Sequence, residues 1–164
     1  MNQELLMAST EWCLAQLKAE QNPDGSFTST TREFCRGTLV ASHSRRTTFY
    51  SAAITLALQE SKSPIVEEIS GQAVSFLLHE AGPNYEYRYW SHDQTSLPDY
   101  PPDLDDTLLA LAAIHTVDER LITGRCLAWL LRHLITGEKN LVDPIEPGYL
   151  LTTPMPPGTT LMGW

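Results

Sequence analysis

Four aspartates, Asp99, Asp103, Asp105 and Asp106, fall within eight residues, just ahead of an apolar run from Leu108 to Ile114. Carboxylates set this close cannot all ionise cheaply, and an apolar surrounding disfavours the charged form further, so at least one pKa rises. A carboxyl group kept protonated near neutral pH is the requirement for a Brønsted acid, which such a cluster can meet. Asp at a helix start also caps free N–H groups and complements the positive end of the dipole, for about 0.5–2 kcal/mol. Capping accounts for one or two acids, not four. Oxygen-rich clusters suit hard cations as well, so magnesium is a third reading of the same residues. The second set with chemical potential is aromatic: Phe49, Tyr50, Tyr85, Tyr87, Tyr89 and Trp90. Ring faces stabilise cations, and the same residues serve equally well in core packing or loop anchoring.

Other chemistries find less support. His43, His79, His92 and His133 read as surface or loop residues, and His115 as a hydrogen-bonded core residue. There is no Ser-His-Asp order and no phosphate loop. Cys13, Cys35 and Cys126 are odd in number and lack zinc-ligand spacing, so packed, reduced thiols are expected. With 20 acidic against 11 basic residues the chain carries −9, which repels a phosphate backbone and excludes nucleic acid as a partner. The adjacent Arg45 and Arg46 read as a solvated loop without a role. No apolar run approaches the ~20 residues of a transmembrane helix, and the N-terminal residues lack the pattern of a signal peptide. A cytoplasmic protein is expected, with peripheral membrane contact left open.

The elements that must position these residues read as helices. Gln3 to about Glu20 is amphipathic, with Leu6, Cys13, Leu14 and Leu17 at helical spacing, and Asn22-Pro-Asp-Gly-Ser stops it. Thr28 to Thr48 is polar, carries no helical period, and receives no assignment. Phe49 to Glu60 is apolar or small on every side, the mark of a buried helix. Ser63-Pro64 opens an amphipathic helix through Leu77; the acidic cluster opens a second buried one; Arg120 to Leu134 is amphipathic again. This alternation predicts an all-α fold, a partial α/α toroid of about five helices with outer helices sheathing inner ones, against a simple antiparallel bundle. Residues 1–138 form one helical domain on this reading. Residues 139–164, with Pro144, Pro147, Pro154, Pro156 and Pro157, form a Pro-rich extended C-terminal arm.

Two motifs carry a family resemblance. Gln21-Asn-Pro-Asp-Gly-Ser-Phe27 is similar to the repeated Gln-to-aromatic turn motif of the squalene cyclases and their relatives, with Phe27 in place of the usual Trp. Asp103-Leu-Asp-Asp-Thr107, after Tyr100-Pro-Pro, resembles the D-x-D-D-T motif of class II terpene cyclases. The resemblance spans about Trp12 to Asn140. It implies a squalene cyclase-like α/α barrel, here as a partial domain, and protonation-initiated cyclisation of an isoprenoid, the work of an isomerase or lyase. By the family's pattern Asp105 is the proton donor, with Asp103 and Asp106 tuning it, and the six aromatic residues line the substrate. No cofactor is implied, except magnesium if the substrate bears a diphosphate. Five helices do not close such a barrel, so the resemblance also implies a homodimer or a partner chain that completes it. Lacking either, the chain is a noncatalytic isoprenoid-binding or protein-interaction module.

Overall fold

The computed structural model describes residues 3–93 and 101–135; the expected arm at 139–164 lies outside them. Helix α1 (Gln3–Glu20) is followed by strands β1 (Phe27–Cys35) and β2 (Thr38–Thr47). Helices α2 (Thr48–Leu58), α3 (Pro64–Glu80), α4 (Leu104–Val117) and α5 (Gly124–Ile135) follow, with a short 3-10 turn at Glu119–Leu121.

The chain is therefore not all-α, and the expected α/α toroid is corrected to a mixed fold, with five helices and a two-stranded antiparallel sheet among the described residues. The unassigned stretch after Phe27 is a long hairpin, paired from Phe27↔Thr47 to Cys35↔Thr38 with an irregularity at Glu33/Phe34. Its turn places Arg36 and Gly37 at φ 49° and 81°, the left-handed pair that matches the twist of two-residue hairpins. β-Branched threonines favour the strands. Most of β2 is exposed on both faces, so no hydrophobic alternation betrays it in the sequence.

Burial among the helices also departs from the expected layering. α3, expected on the outside, buries Val66, Ile69, Ala73, Val74, Phe76 and Leu77. α2 instead buries the small Thr48, Ser51, Ala52 and Thr55. Its hydroxyls are satisfied internally: Ser51 donates to Thr47 C=O at 3.0 Å and Thr55 to Ser51 C=O at 2.8 Å. Those bonds remove the cost of burying hydroxyls and let α2 approach its neighbours closely. The core gathers Ala52, Val74, Phe76, Leu77, Tyr87, Leu111, Ile114 and Cys126. Truncating a residue such as Leu77 would cost about 2–5 kcal/mol.

The turn between α1 and β1 is docked by its own sequence. Gln21 Nε2 donates to Gly25 C=O at 3.0 Å and to Ile69 C=O of α3 at 2.9 Å. Asp24 Oδ1 accepts from the Ser26 N–H and hydroxyl, and Phe27 N–H donates to Ser51 Oγ at 3.1 Å. Gly25 sits at φ 90° with its Cα so near α3 that a Cβ would lie 2.0 Å from Gln72 C=O. Hence the turn needs Gln to reach α3 and Gly to let it approach.

Two further expectations change. Cys13 and Cys35 are exposed, and only Cys126 is packed. His115 is exposed on α4 instead of lying in the core. Among the described residues no helix is long and apolar enough to cross a membrane.

Candidate functional site

An extended strap, Tyr87 to Trp90, joins the start of α2 to the start of α4. It makes isolated bridges at Thr47↔Trp90 and Tyr87↔Asp103. Thr48 N–H donates to Tyr89 C=O at 3.0 Å, Ser91 N–H to Arg46 C=O at 3.2 Å, and Asp103 N–H to Tyr87 C=O at 3.1 Å. Thr107 completes the junction, accepting from Tyr87 N–H at 2.9 Å and donating to Asp103 C=O at 2.6 Å. The strap thereby sets aromatic side chains beside the acidic helix start.

Three of the clustered aspartates open α4, and they differ. Asp103 is its N-cap, with Oδ1 accepting from Asp106 N–H at 2.8 Å. Asp105 points to solvent. Asp106 is only 3% exposed, and its Oδ2 has no hydrogen-bond partner among the described residues. Burial pushes the Asp103 carboxyl well above its ordinary range, helped by hydrogen bonding to Asp105 and by the charge of Asp106. Burial also raises Asp106; the hydrogen bond with Asp103 works the other way, and the charge of Asp105 adds to the rise. A protonated Asp103 donating to Asp106 accounts for both effects. Asp99 lies outside the described residues.

Of the six aromatic residues, four come together. Phe49 stacks on Tyr89 with centroids 5.4 Å apart and meets Tyr50 edge-on at 5.8 Å. Tyr89 meets Tyr50 at 6.4 Å and Trp90 edge-on at 4.7 Å. The Asp106 charge reaches this cluster: burial first, then Tyr50, then Asp106 push the Tyr89 phenol up to about 12. The other two lie apart. Tyr87 is fully buried in the core, with a hydroxyl that has no partner among the described residues, and burial raises its pKa. Tyr85 occupies the turn after α3 at φ 65° and packs on that core.

Several residues that hold the strap were not foreseen. Glu80, buried at the end of α3, accepts from Ser91 Oγ at 2.9 Å and from His92 N–H at 2.7 Å, and His92 Nδ1 lies 2.8 Å from its Oε2. Arg46 pairs with Asp24 and Asp93, and Arg45 lies over the Trp90 ring at 5.4 Å. The two arginines, read as a solvated loop, thus close the hairpin onto the turn and the strap. Their adjacency in a polar stretch gave no hint of partners 20 and more residues away. Thr47 lay in the unassigned polar stretch, and Thr107 stood out only as the end of the acidic motif.

Among the described residues, no group of three or more His, Cys, Asp or Glu is arranged to hold a metal ion. No family model, curated protein or solved structure matches this chain. What the site can do rests on its own chemistry: a buried Asp106 carboxyl and its half-buried neighbour Asp103, both raised by burial, next to a group of four aromatic rings.

Proposed function

We propose that this chain is a class II terpene cyclase-like protein in which Asp106 is the proton donor and an isoprenoid alkene is the acceptor. The observation that carries this reading is the buried Asp106 carboxyl, whose Oδ2 is unpartnered among the described residues. Protonating a carbon–carbon double bond needs a strong acid in a dry place, since water levels the acid and quenches the cation. Asp103, protonated and donating to Asp106, stabilises the carboxylate that proton transfer leaves behind; it is a positioning residue. Asp105, exposed beside the pair, contributes charge and no proton. The cation formed on the substrate would lie against Phe49, Tyr50, Tyr89 and Trp90, whose ring faces attract positive charge without acting as bases. A diphosphate-bearing substrate would bring magnesium with it.

The test is product formation from a panel of polyprenyl substrates, with binding of a saturated analogue followed in parallel by tryptophan fluorescence. Asp106→Asn is expected to lose at least about 100-fold in turnover while still binding the analogue, the span of a general acid's contribution. Asp105→Asn is expected to retain activity within a few-fold. If the unaltered chain binds the analogue and turns nothing over, it is the noncatalytic isoprenoid-binding module instead.

A further inference from the structure

Arg45 and Arg46 are neighbours on β2 with different partners. Arg46 is engaged by two acids, Asp24 and Asp93. Arg45 is half-buried and meets no carboxylate among the described residues; its guanidinium lies over the Trp90 ring at 5.4 Å. A cation–π contact occupies the flat face of a guanidinium and leaves its in-plane N–H donors available. Those donors form a rigid fork that matches two oxygens of a phosphate, in charge-assisted bonds about twice as strong as neutral ones. In a chain of net charge −9, a guanidinium held without a carboxylate, beside one that holds two, is positioned to receive an anion.

The place of Arg45 in the candidate site says which anion. Trp90 meets Tyr89 edge-on at 4.7 Å, and Tyr89 stacks on Phe49 at 5.4 Å. Asp106 lies on the Tyr89 side, near enough for its charge to act on that phenol. Asp103 and Asp106 are shifted by burial and by the neighbouring aspartates, not by Arg45, so the guanidinium stands clear of the acids. The rings therefore run from an unpaired cation at Trp90 to the acids at the head of α4. A ligand lying along them is oriented: an anionic end is drawn to Arg45 and repelled by Asp105 and Asp106, while its apolar body covers the rings. We propose that the isoprenoid carries a phosphate head group and that Arg45 binds it directly, without a metal ion. This rests on the isoprenoid reading above and narrows it, because a bare hydrocarbon leaves Arg45 unused.

The experiment is calorimetric titration of the full chain with farnesyl phosphate and with farnesol, in EDTA so that no divalent cation bridges the head group. The unaltered chain is expected to bind the phosphate at least about tenfold more tightly than the alcohol. Arg45→Gln should erase that preference, and Arg45→Lys, which keeps the charge and loses the fork, should retain part of it. Arg32→Gln removes an exposed arginine of β1 and should leave the preference intact. Equal affinity of the unaltered chain for the two ligands overturns the proposal and leaves the isoprenoid reading standing. A preference that survives Arg45→Gln also overturns it, since another group then holds the phosphate. So does a preference that Arg32→Gln abolishes equally, since net charge alone then accounts for it. If neither ligand binds, the isoprenoid reading and this proposal fall together.

Discussion

Asp105 and Asp106 are neighbours in sequence with opposite fates, and the difference is geometric. Successive residues in a helix point about 100° apart, so at the first turn of α4 one aspartate faces water and the next is buried. The acid form of Asp106 is the reactive one on the proposed reading, so activity should fall as pH rises through its raised pKa of about 6. A pH profile of kcat/KM checks this; a plateau extending unchanged to pH 8 would remove Asp106 as donor. The same shifts bear on stability. Carboxyls raised in the folded state, Asp106 to about 6 and Asp103 to about 9, bind more protons folded than unfolded. Their contribution is complete below the ordinary range near pH 4 and is lost as pH climbs through those values. Replacing Asp106 by Asn should therefore raise stability at pH 8 by about 1–2 kcal/mol and change it little at pH 4. Thermal melts at the two pH values read the difference.

Among the elements, two glycines with positive φ serve different ends. Gly25, at φ 90° and pressed against Gln72 C=O, has no room for a methyl group, whereas Gly37, at φ 81°, has nothing within 4 Å of one. Gly37→Ala should cost about 1 kcal/mol for backbone strain alone. Gly25→Ala must also lift the turn off α3, breaking the Gln21 clamp, and should cost at least about 3 kcal/mol in denaturant unfolding. Helix periodicity made α1, α3 and α4 legible to within a few residues, since an amphipathic or all-apolar run with a Ser-Pro or Asp start has one dominant local solution. The hairpin was illegible for the complementary reason. With most of β2 exposed on both faces, Thr38 to Thr47 shows no period-two burial pattern, and the Arg36-Gly37 turn before it is a weaker signal than Asn-Gly. The acid cluster and four of the six rings of the site could be picked out by residue type. Which aspartate is buried, and that Tyr87 belongs to the core, depended on the strap, whose anchors at Glu80, Ser91 and Thr107 are tertiary.

At the scale of the whole molecule, stability is unevenly spread. α2, α3 and α4 share the core, while α1 buries Leu14 alone and is held to α3 through Lys18, with Glu68 and Gln72, and through the Gln21 clamp that follows it. A helix of 18 residues with so little burial is near the length at which isolated helices are marginal in water. It should open locally without the core unfolding. Amide hydrogen exchange in dilute solution should accordingly find the backbone of α1 protected at least about tenfold less than that of α3 and α4, the weakest amides lying toward Gln3, farthest from the Gln21 clamp. Removing the anchor by Gln21→Ala should lower α1 protection further and leave α4 nearly unchanged, because among the described residues the turn bonds to Ile69 of α3 and Ser51 of α2 and not to α4. Equal loss in both helices would instead mean that α1 and the core unfold as one cooperative unit. In that case the acid pair at the head of α4 would depend on α1 for its burial through the common stability of the fold.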